Sequence, residues 1–213
     1  MQTKKKILRV ATEHYLQKGL SGLSLRKIAR EIGISPTAIY RHFEHKQALI
    51  FALIAEGYAE FAVALRTPTT NALLEYALLD FESNKSSQSE SIRSLQSLCG
   101  RYALFVLEEK PVYELLFLSV HHLGSGKNEY ELPPLLQDMG RDSLWILVSA
   151  VEAAIEAGEL RKVPALDASR MLWAQLHGLA ALFVTRRLGV SDAQFLRLCM
   201  EGFASVLAGL SVR

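Results

Sequence analysis

The sequence predicts an all-α fold, an N-terminal three-helix bundle with a helix-turn-helix followed by a larger helical domain. Apolar residues recur at three- and four-residue spacing along most of the chain, which gathers them on one face of a helix. No run alternates apolar with polar residues over the length of a strand, as a half-buried sheet demands. Half of the 213 residues are apolar and 22% are charged, a globular balance that excludes a disordered chain. A chain of this size buries roughly 70% of its unfolded surface, enough for a real core.

The first helix is predicted over Lys4 to Lys18, with Ile7, Leu8, Ala11, Tyr15 and Leu16 as its apolar stripe and Gly19 as its stop. Ser24 caps a short second helix that turns Ile28, Ala29 and Ile32 inward and ends at Gly33. Ser35-Pro36 opens the third helix, with proline at a position where its missing N–H costs nothing. That helix runs to about His42 and carries Ile39, with Phe43 following on the same face. A fourth helix, 46–66, ends before Thr67-Pro68 and links a head, residues 1–50, to a body, residues 51–213. In the body, Asn71 to Glu82 is long enough for an extra helix, and the serine-rich stretch 83–91 reads as a loop. Further helices are expected over 91–109, 111–120, 134–157, 165–188 and 191–210, separated by proline and glycine breakers.

Charge divides unevenly. Residues 1–65 hold ten Lys/Arg and five Asp/Glu, a net of +5, while the remainder holds 14 against 17, a net of −3. A basic head on a mildly acidic body points to a polyanionic partner for the head alone. The apolar runs are broken by charge short of the ~18–20 residues of a membrane span, and no apolar signal core follows Lys4, Lys5 and Lys6. A cytoplasmic protein with no membrane partner is expected. Cys99 and Cys199 stand a hundred positions apart without metal-ligand spacing, so buried helix thiols are expected, with no metal and no other cofactor. Gly124-Ser125-Gly126-Lys127 has His121 where a phosphate loop needs its first glycine, and no Ser/Thr follows its lysine. With no nucleophile elbow and no zinc-protease motif, no catalytic residue is expected and an enzyme is the weaker reading.

The second helix, the turn Gly33-Ile34-Ser35 and the third helix form a helix-turn-helix. The third helix must be short, stapled inward by Ile39 and Phe43, and free to offer its other face to a major groove. The candidate DNA contacts are Arg26, Lys27, Ser35, Pro36, Thr37, Tyr40, Arg41, His42 and Lys46. Taken singly, Arg26, Lys27 and Arg30 are an ordinary solvated helix face and Tyr40 an ordinary core edge; their joint order and spacing carries the DNA reading. Lys4, Lys5 and Lys6 leave two readings open, a solubilising tail or an arm reaching DNA.

The stretch Leu25 to Phe43, with Tyr40-Arg41-His42-Phe43 at its end and Lys46 and Leu49 beyond, resembles the DNA-binding signature of TetR/AcrR-family transcriptional regulators. The resemblance implies that Tyr40, His42 and Lys46 anchor phosphates and that Arg26 and Thr37 face bases. Tyr15 stands where the family often has phenylalanine. The body resembles a subgroup whose sensing domain carries a Trp…His-Gly motif, here Trp173 to Leu179, supported by Arg101 to Phe105, Pro111 to Phe117 and Ala157 to Arg161. Residues 67–90 look like an insertion within that pattern.

The body reading from the residues agrees. Helix 165–188 is apolar on nearly every side, and 191–210 carries Phe195, Cys199, Phe203, Val206 and Leu210 at helical spacing, so pairing both helices with a second copy is expected, with Gly178 and Gly202 allowing close approach. Phe105, Phe117, His121, Trp145, Trp173 and His177 are the candidate lining of a small-molecule site, although each taken alone is more often a core residue than a pocket one. The expected function is a repressor homodimer on a near-palindromic operator, released when an unidentified small-molecule effector favours a dimer with wrongly spaced heads. The alternative is a non-specific architectural DNA-binding protein.

Overall fold

The computed structural model describes residues 2–68, 89–119 and 132–212. Among these, nine α-helices follow one another: α1 (Gln2–Gly22), α2 (Leu25–Ile32), α3 (Pro36–Tyr40), α4 (Lys46–Arg66), α5 (Glu90–Glu108), α6 (Lys110–Tyr113), α7 (Pro134–Glu156), α8 (Ala165–Val184) and α9 (Asp192–Leu210). A π-helical turn, Glu114–Ser119, extends α6, where the sequence predicted one uninterrupted helix. Among the described residues the sole β pairing is an antiparallel bridge between Leu160 and Ser211. The expected helix 71–82, most of the loop 83–91, His121 and Gly124–Lys127 lie outside the described residues.

Local chemistry sets the helix ends. Gly19 leaves helical geometry (φ 59°, ψ −156°), so the expected stop is a kink after which one more turn reaches Gly22. The hydroxyls of Ser24, Ser35, Ser89 and Ser191 accept the backbone N–H groups of Lys27, Ala38, Ile92 and Gln194, satisfying donors that a helix start leaves bare. At Ser191 the box is reciprocal, because Gln194 Oε1 accepts the Ser191 N–H at 2.9 Å. Helix α8 stops at Val184, short of the expected 188. Arg186 takes a left-handed conformation (φ 58°), and the N–H groups of Arg187 and Leu188 both turn back to the Leu182 carbonyl, at 2.8 and 3.1 Å.

The contacts divide the chain into two compact units: Met1–Ala59 with Pro111–Met139, and Glu60–Lys110 with Gly140–Arg213. The division falls within α4 and returns within α7. In the first unit Ile7, Leu8, Ala11 and Tyr15 of α1 are buried together with Leu25, Ile28, Ala29 and Ile32 of α2, Ile39 of α3 and Phe43. Each large aliphatic side chain fully removed from water contributes roughly 1.5–3 kcal/mol. Two polar ties pin α1 to α2: His14 Nε2 lies 2.6 Å from Glu31 Oε2, and the Lys6 ammonium donates to the Ile32 carbonyl at 3.3 Å. In the second unit α9 packs on α8 and α5.

Helices α4 and α9 are long and apolar enough, by length and composition, to cross a membrane, contrary to the expectation from the sequence. Their apolar side chains are core residues of this fold: Leu49, Ile50, Leu53, Ile54, Tyr58, Phe61 and Leu65 of α4 are buried, as are Phe195, Leu196, Cys199, Met200, Phe203, Leu207 and Leu210 of α9. Both cysteines are free and buried, and the Cys99 thiol donates to the Cys199 carbonyl at 3.6 Å. Burial pushes the Cys199 thiol up to about 12 and the Cys99 thiol well above its ordinary value, so both are poor nucleophiles.

Candidate nucleic-acid interface and aromatic cluster

Helices α2 and α3 meet through a turn that requires Gly33. Its φ of 75° is left-handed, and the reversal lets the Gly33 and Ile34 N–H groups bond to the Arg30 and Ala29 carbonyls at 3.3 and 3.0 Å. The turn makes the two helices share one buried face, with Ile28 and Ile39 completely inaccessible and Phe43 3% exposed. Arg26, Lys27, Ser35, Pro36, Thr37, Tyr40, Arg41, His42 and Lys46 all stand exposed. The fold therefore sorts the two faces as a groove-reading pair of helices needs.

Several details go beyond the sequence or against it. Helix α3 ends at Tyr40, two residues early, because the His42 and Phe43 N–H groups both fold back to the Ile39 carbonyl, each at 3.0 Å. Ser35 takes up the Ala38 N–H at 3.1 Å and Pro36 has no N–H, so α3 begins with fewer outward donors than a bare helix start. The Lys46 ammonium donates to the Leu20 carbonyl at 2.6 Å, which fixes it beside the end of α1 and leaves two N–H groups for another acceptor. His45, not noticed in the sequence, caps α4 by accepting the Ala48 N–H at Nδ1, 3.0 Å; serine, threonine and aspartate are the usual signals for a cap, so histidine gave none. Lys4, Lys5 and Lys6 form the first turns of α1 and no free tail; Lys4 sits 5.7 Å from the Phe43 ring centroid.

In the second unit a group of rings converges. Phe61 lies 5.7 Å from Tyr102, 4.9 Å from Phe105 and 6.1 Å from Trp173, centroid to centroid, and Tyr102 lies 5.7 Å from Trp173. Most of these pairs are edge-to-face, the arrangement that ring quadrupoles favour. Trp173 and His177 are instead stacked, at 5.8 Å and 26°. The Tyr102 hydroxyl and His177 Nδ1 share a 2.7 Å hydrogen bond. Burial holds the His177 imidazole down to about 4, so it is neutral at physiological pH.

Of the expected effector residues, the structure brings together Phe105, Trp173 and His177, and adds Phe61 and Tyr102. Phe117 belongs to the first unit, where it lies 6.0 Å from Tyr58 and 5.0 Å from Tyr113. Trp145 is 43% exposed on α7, so its ring stands at the surface and not in the cluster. His121 lies outside the described residues.

The faces of α8 and α9 also resolve differently from expectation. Phe195, Cys199, Phe203 and Leu210 are already buried within the chain. The apolar surface left over is a row on α8, with Met171 51% and Leu182 42% exposed and Ala174 and Gly178 exposed between them, and Leu198 on α9. A Cβ at Gly178 would meet nothing, whereas one at Gly202 would collide with the Gln175 amide of the same chain. Gly202 thus serves the packing of α8 on α9 within one chain.

A helix-turn-helix head joined to an all-helical body is the plan of a DNA-binding regulator. Residues 7–53 match the model of bacterial regulatory proteins of the tetR family, and residues 95–206 match the tetracyclin repressor-like C-terminal domain. The chain belongs to the TetR family of transcriptional regulators, non-enzymatic DNA-binding proteins that act as dimers. It is 24% identical over 180 residues to the HTH-type transcriptional regulator YobS of Bacillus subtilis (strain 168), covering 84% of this chain and 78% of that one. A protein of unknown function from Rhodococcus sp. RHA1 shares the fold with a TM-score of 0.75 at 24% identity, covering 98% of this chain and 95% of that one. A structure solved for the molecular basis of control of antibiotic production by a bacterial hormone gives 0.69 at 22% identity, covering 100% and 99%.

Proposed function

We propose that this regulator is a cytoplasmic repressor that holds a near-palindromic operator as a homodimer and releases it when a small molecule occupies the second unit. The observation that carries the DNA half is the sorting about α2 and α3: eight polar or basic candidates and Pro36 stand exposed, over a buried Ile28, Ile39 and Phe43. Tyr40, His42 and Lys46 hold phosphates, while Arg26 and Thr37 read base edges, with Lys27, Ser35, Pro36 and Arg41 completing the contact. Two heads joined by a two-fold axis address grooves one helical turn, about 34–36 Å, apart. The second copy covers the apolar row of α8 and the exposed Leu198 of α9.

Phe105, Trp173 and His177, joined by Phe61 and Tyr102, form the effector site. The stacked Trp173 and His177, followed by the open Gly178, support placing the chain in the subgroup with a Trp…His-Gly sensing motif. A structure of the same fold concerned with a bacterial hormone supports small-molecule control. A tenfold loss of operator affinity asks only about 1.4 kcal/mol of differential binding from the effector.

The test is selection of genomic fragments by the purified protein, beside a variant with Tyr40→Ala and Lys46→Ala. Enrichment of one or a few near-palindromes by the native protein alone is the expected result. Retention of random DNA within about tenfold of the best fragment would instead favour the architectural reading, since a sequence-reading regulator prefers its site by ~10³ or more.

A further inference from the structure

Ser169, Trp173 and His177 follow one another at four-residue intervals along α8, so they share one ridge of that helix. Ser169 is completely buried, and among the described residues its hydroxyl has no hydrogen-bond partner. A buried hydroxyl left unmatched destabilises a fold, and the great majority of such groups are paired. At the far end of the ridge the Tyr102–His177 pair supplies a second polar position, and between the two lies the Trp173 ring. Eight residues of helix put the ends of the ridge about 12 Å apart.

We propose that this ridge binds an uncharged, planar aromatic molecule of bicyclic or tricyclic size, laid along Trp173 and hydrogen-bonded by the Ser169 hydroxyl. The proposal rests on the reading that the second unit takes a small molecule, and it names the chemistry of that molecule. The rings set the planarity: Trp173 and His177 are already stacked, while Phe61 and Tyr102 stand steeply inclined to Trp173 at 81° and 72°, so a flat guest extends the stack beside two further rings.

Charge is selected against on both sides. An anion needs a cation, and the nearest one along α5, Arg101, is committed elsewhere: its Nε donates to the Leu65 carbonyl at 2.8 Å and its Nη1 to Ser97 at 2.7 Å. A cation would lose its hydration among these rings and would face an imidazole that burial keeps neutral. A neutral guest avoids both penalties.

Calorimetric titration of the full-length protein with 2-naphthol, 2-naphthoate and 2-naphthylmethylammonium tests the charge rule on one ring system. Saturable binding of 2-naphthol, at least tenfold tighter than either ion, is expected. The Ser169→Ala variant separates a ligand-binding hydroxyl from a structural one. Removing an unmatched hydroxyl raises the melting temperature of the free protein, by about 2–4 °C, while weakening 2-naphthol at least fivefold. No saturable 2-naphthol binding, equal or tighter binding of either ion, or unchanged affinity in Ser169→Ala would overturn the proposal. Operator affinity measured in parallel keeps the two readings apart: 2-naphthol that binds as described yet leaves operator affinity unchanged refutes effector release and leaves the ligand class standing.

Discussion

His177 is wedged between the Trp173 ring and the Tyr102 hydroxyl, and burial lowers its pKa from the ordinary 6.5 to about 4. The folded chain therefore refuses a proton that the unfolded chain accepts. Stability is full above pH 6.5, falls as pH drops from 6.5 toward 4, and levels off below 4, a loss on the order of 3 kcal/mol across the window. The melting temperature of the native protein should decline more steeply over that window than that of His177→Gln; parallel slopes would refute the assignment. On the head, Lys46 and Arg26 separate two kinds of contact. Lys46→Ala is expected to weaken binding to every sequence alike and to reduce the salt slope by about one, whereas Arg26→Ala should relax preference at one operator position and cost about 1–3 kcal/mol there. Filter binding at several salt concentrations, on the operator and on singly substituted operators, decides it. The helix-turn-helix was legible because Ser24, Gly33 and Ser35 set the ends of its helices locally. Phe61 and Tyr102 were not legible as partners of Trp173, because rings from α4, α5 and α8 meet only through packing that no local pattern encodes.

Among the elements, those with a serine cap or a glycine stop were readable at their ends: α2 begins after Ser24 and stops at Gly33, and α9 begins after Ser191. Of the misplaced ends, that of α1 had a glycine signal, since the chain kinks at Gly19 and adds a turn to Gly22, while two others lack one. Helix α8 is closed by a left-handed Arg186, a conformation that arginine seldom adopts and no sequence rule anticipates, and α6 passes into a π-helical turn with no glycine or proline at the change. Gly33 permits a clean test of turn chemistry. Its φ is 75°, and a Cβ there would meet no atom within 4 Å, so Gly33→Ala carries torsional strain alone. We expect a cost of about 1–2 kcal/mol, a fall in melting temperature of about 2–8 °C, and operator affinity unchanged at temperatures where the variant is folded. Gly57 differs, because its Cβ would stand 3.0 Å from Val112 Cγ1 and 3.1 Å from Leu116 Cδ2, so Gly57→Ala should move α4 against the α6 segment or force those side chains aside. An unchanged melting temperature in Gly57→Ala together with a lowered one in Gly33→Ala would show that the contact yields while the torsion does not.

At the scale of the molecule, the apolar character of α8 and α9 was legible, but not how that surface divides between the chain's own core and solvent. Helical spacing revealed that α8 and α9 are too apolar for a solvent surface, but which residues face a partner depends on what the chain buries by itself. Phe195, Cys199 and Phe203 are consumed internally, and the row from Met171 through Ala174 and Gly178 to Leu182 is what remains exposed. Contiguous apolar surface of this kind is unfavourable in water unless it is covered, and a two-fold axis covers a row with its own copy. Replacing Met171 and Leu182 together with glutamate places four like charges across that axis while adding none to the core, since both side chains are about half exposed. We expect the variant to fold, to sediment as a monomer at micromolar concentration, and to lose at least a hundredfold in operator affinity, because two linked heads bind a palindrome far better than one. Val63→Glu provides the control: Val63 is 60% exposed on α4, away from the row, and its charge should leave mass and affinity unchanged. A doubly substituted protein that remains dimeric would move the interface off α8. A monomer with undiminished operator affinity would instead mean that one head suffices, and the palindrome argument would fall with it.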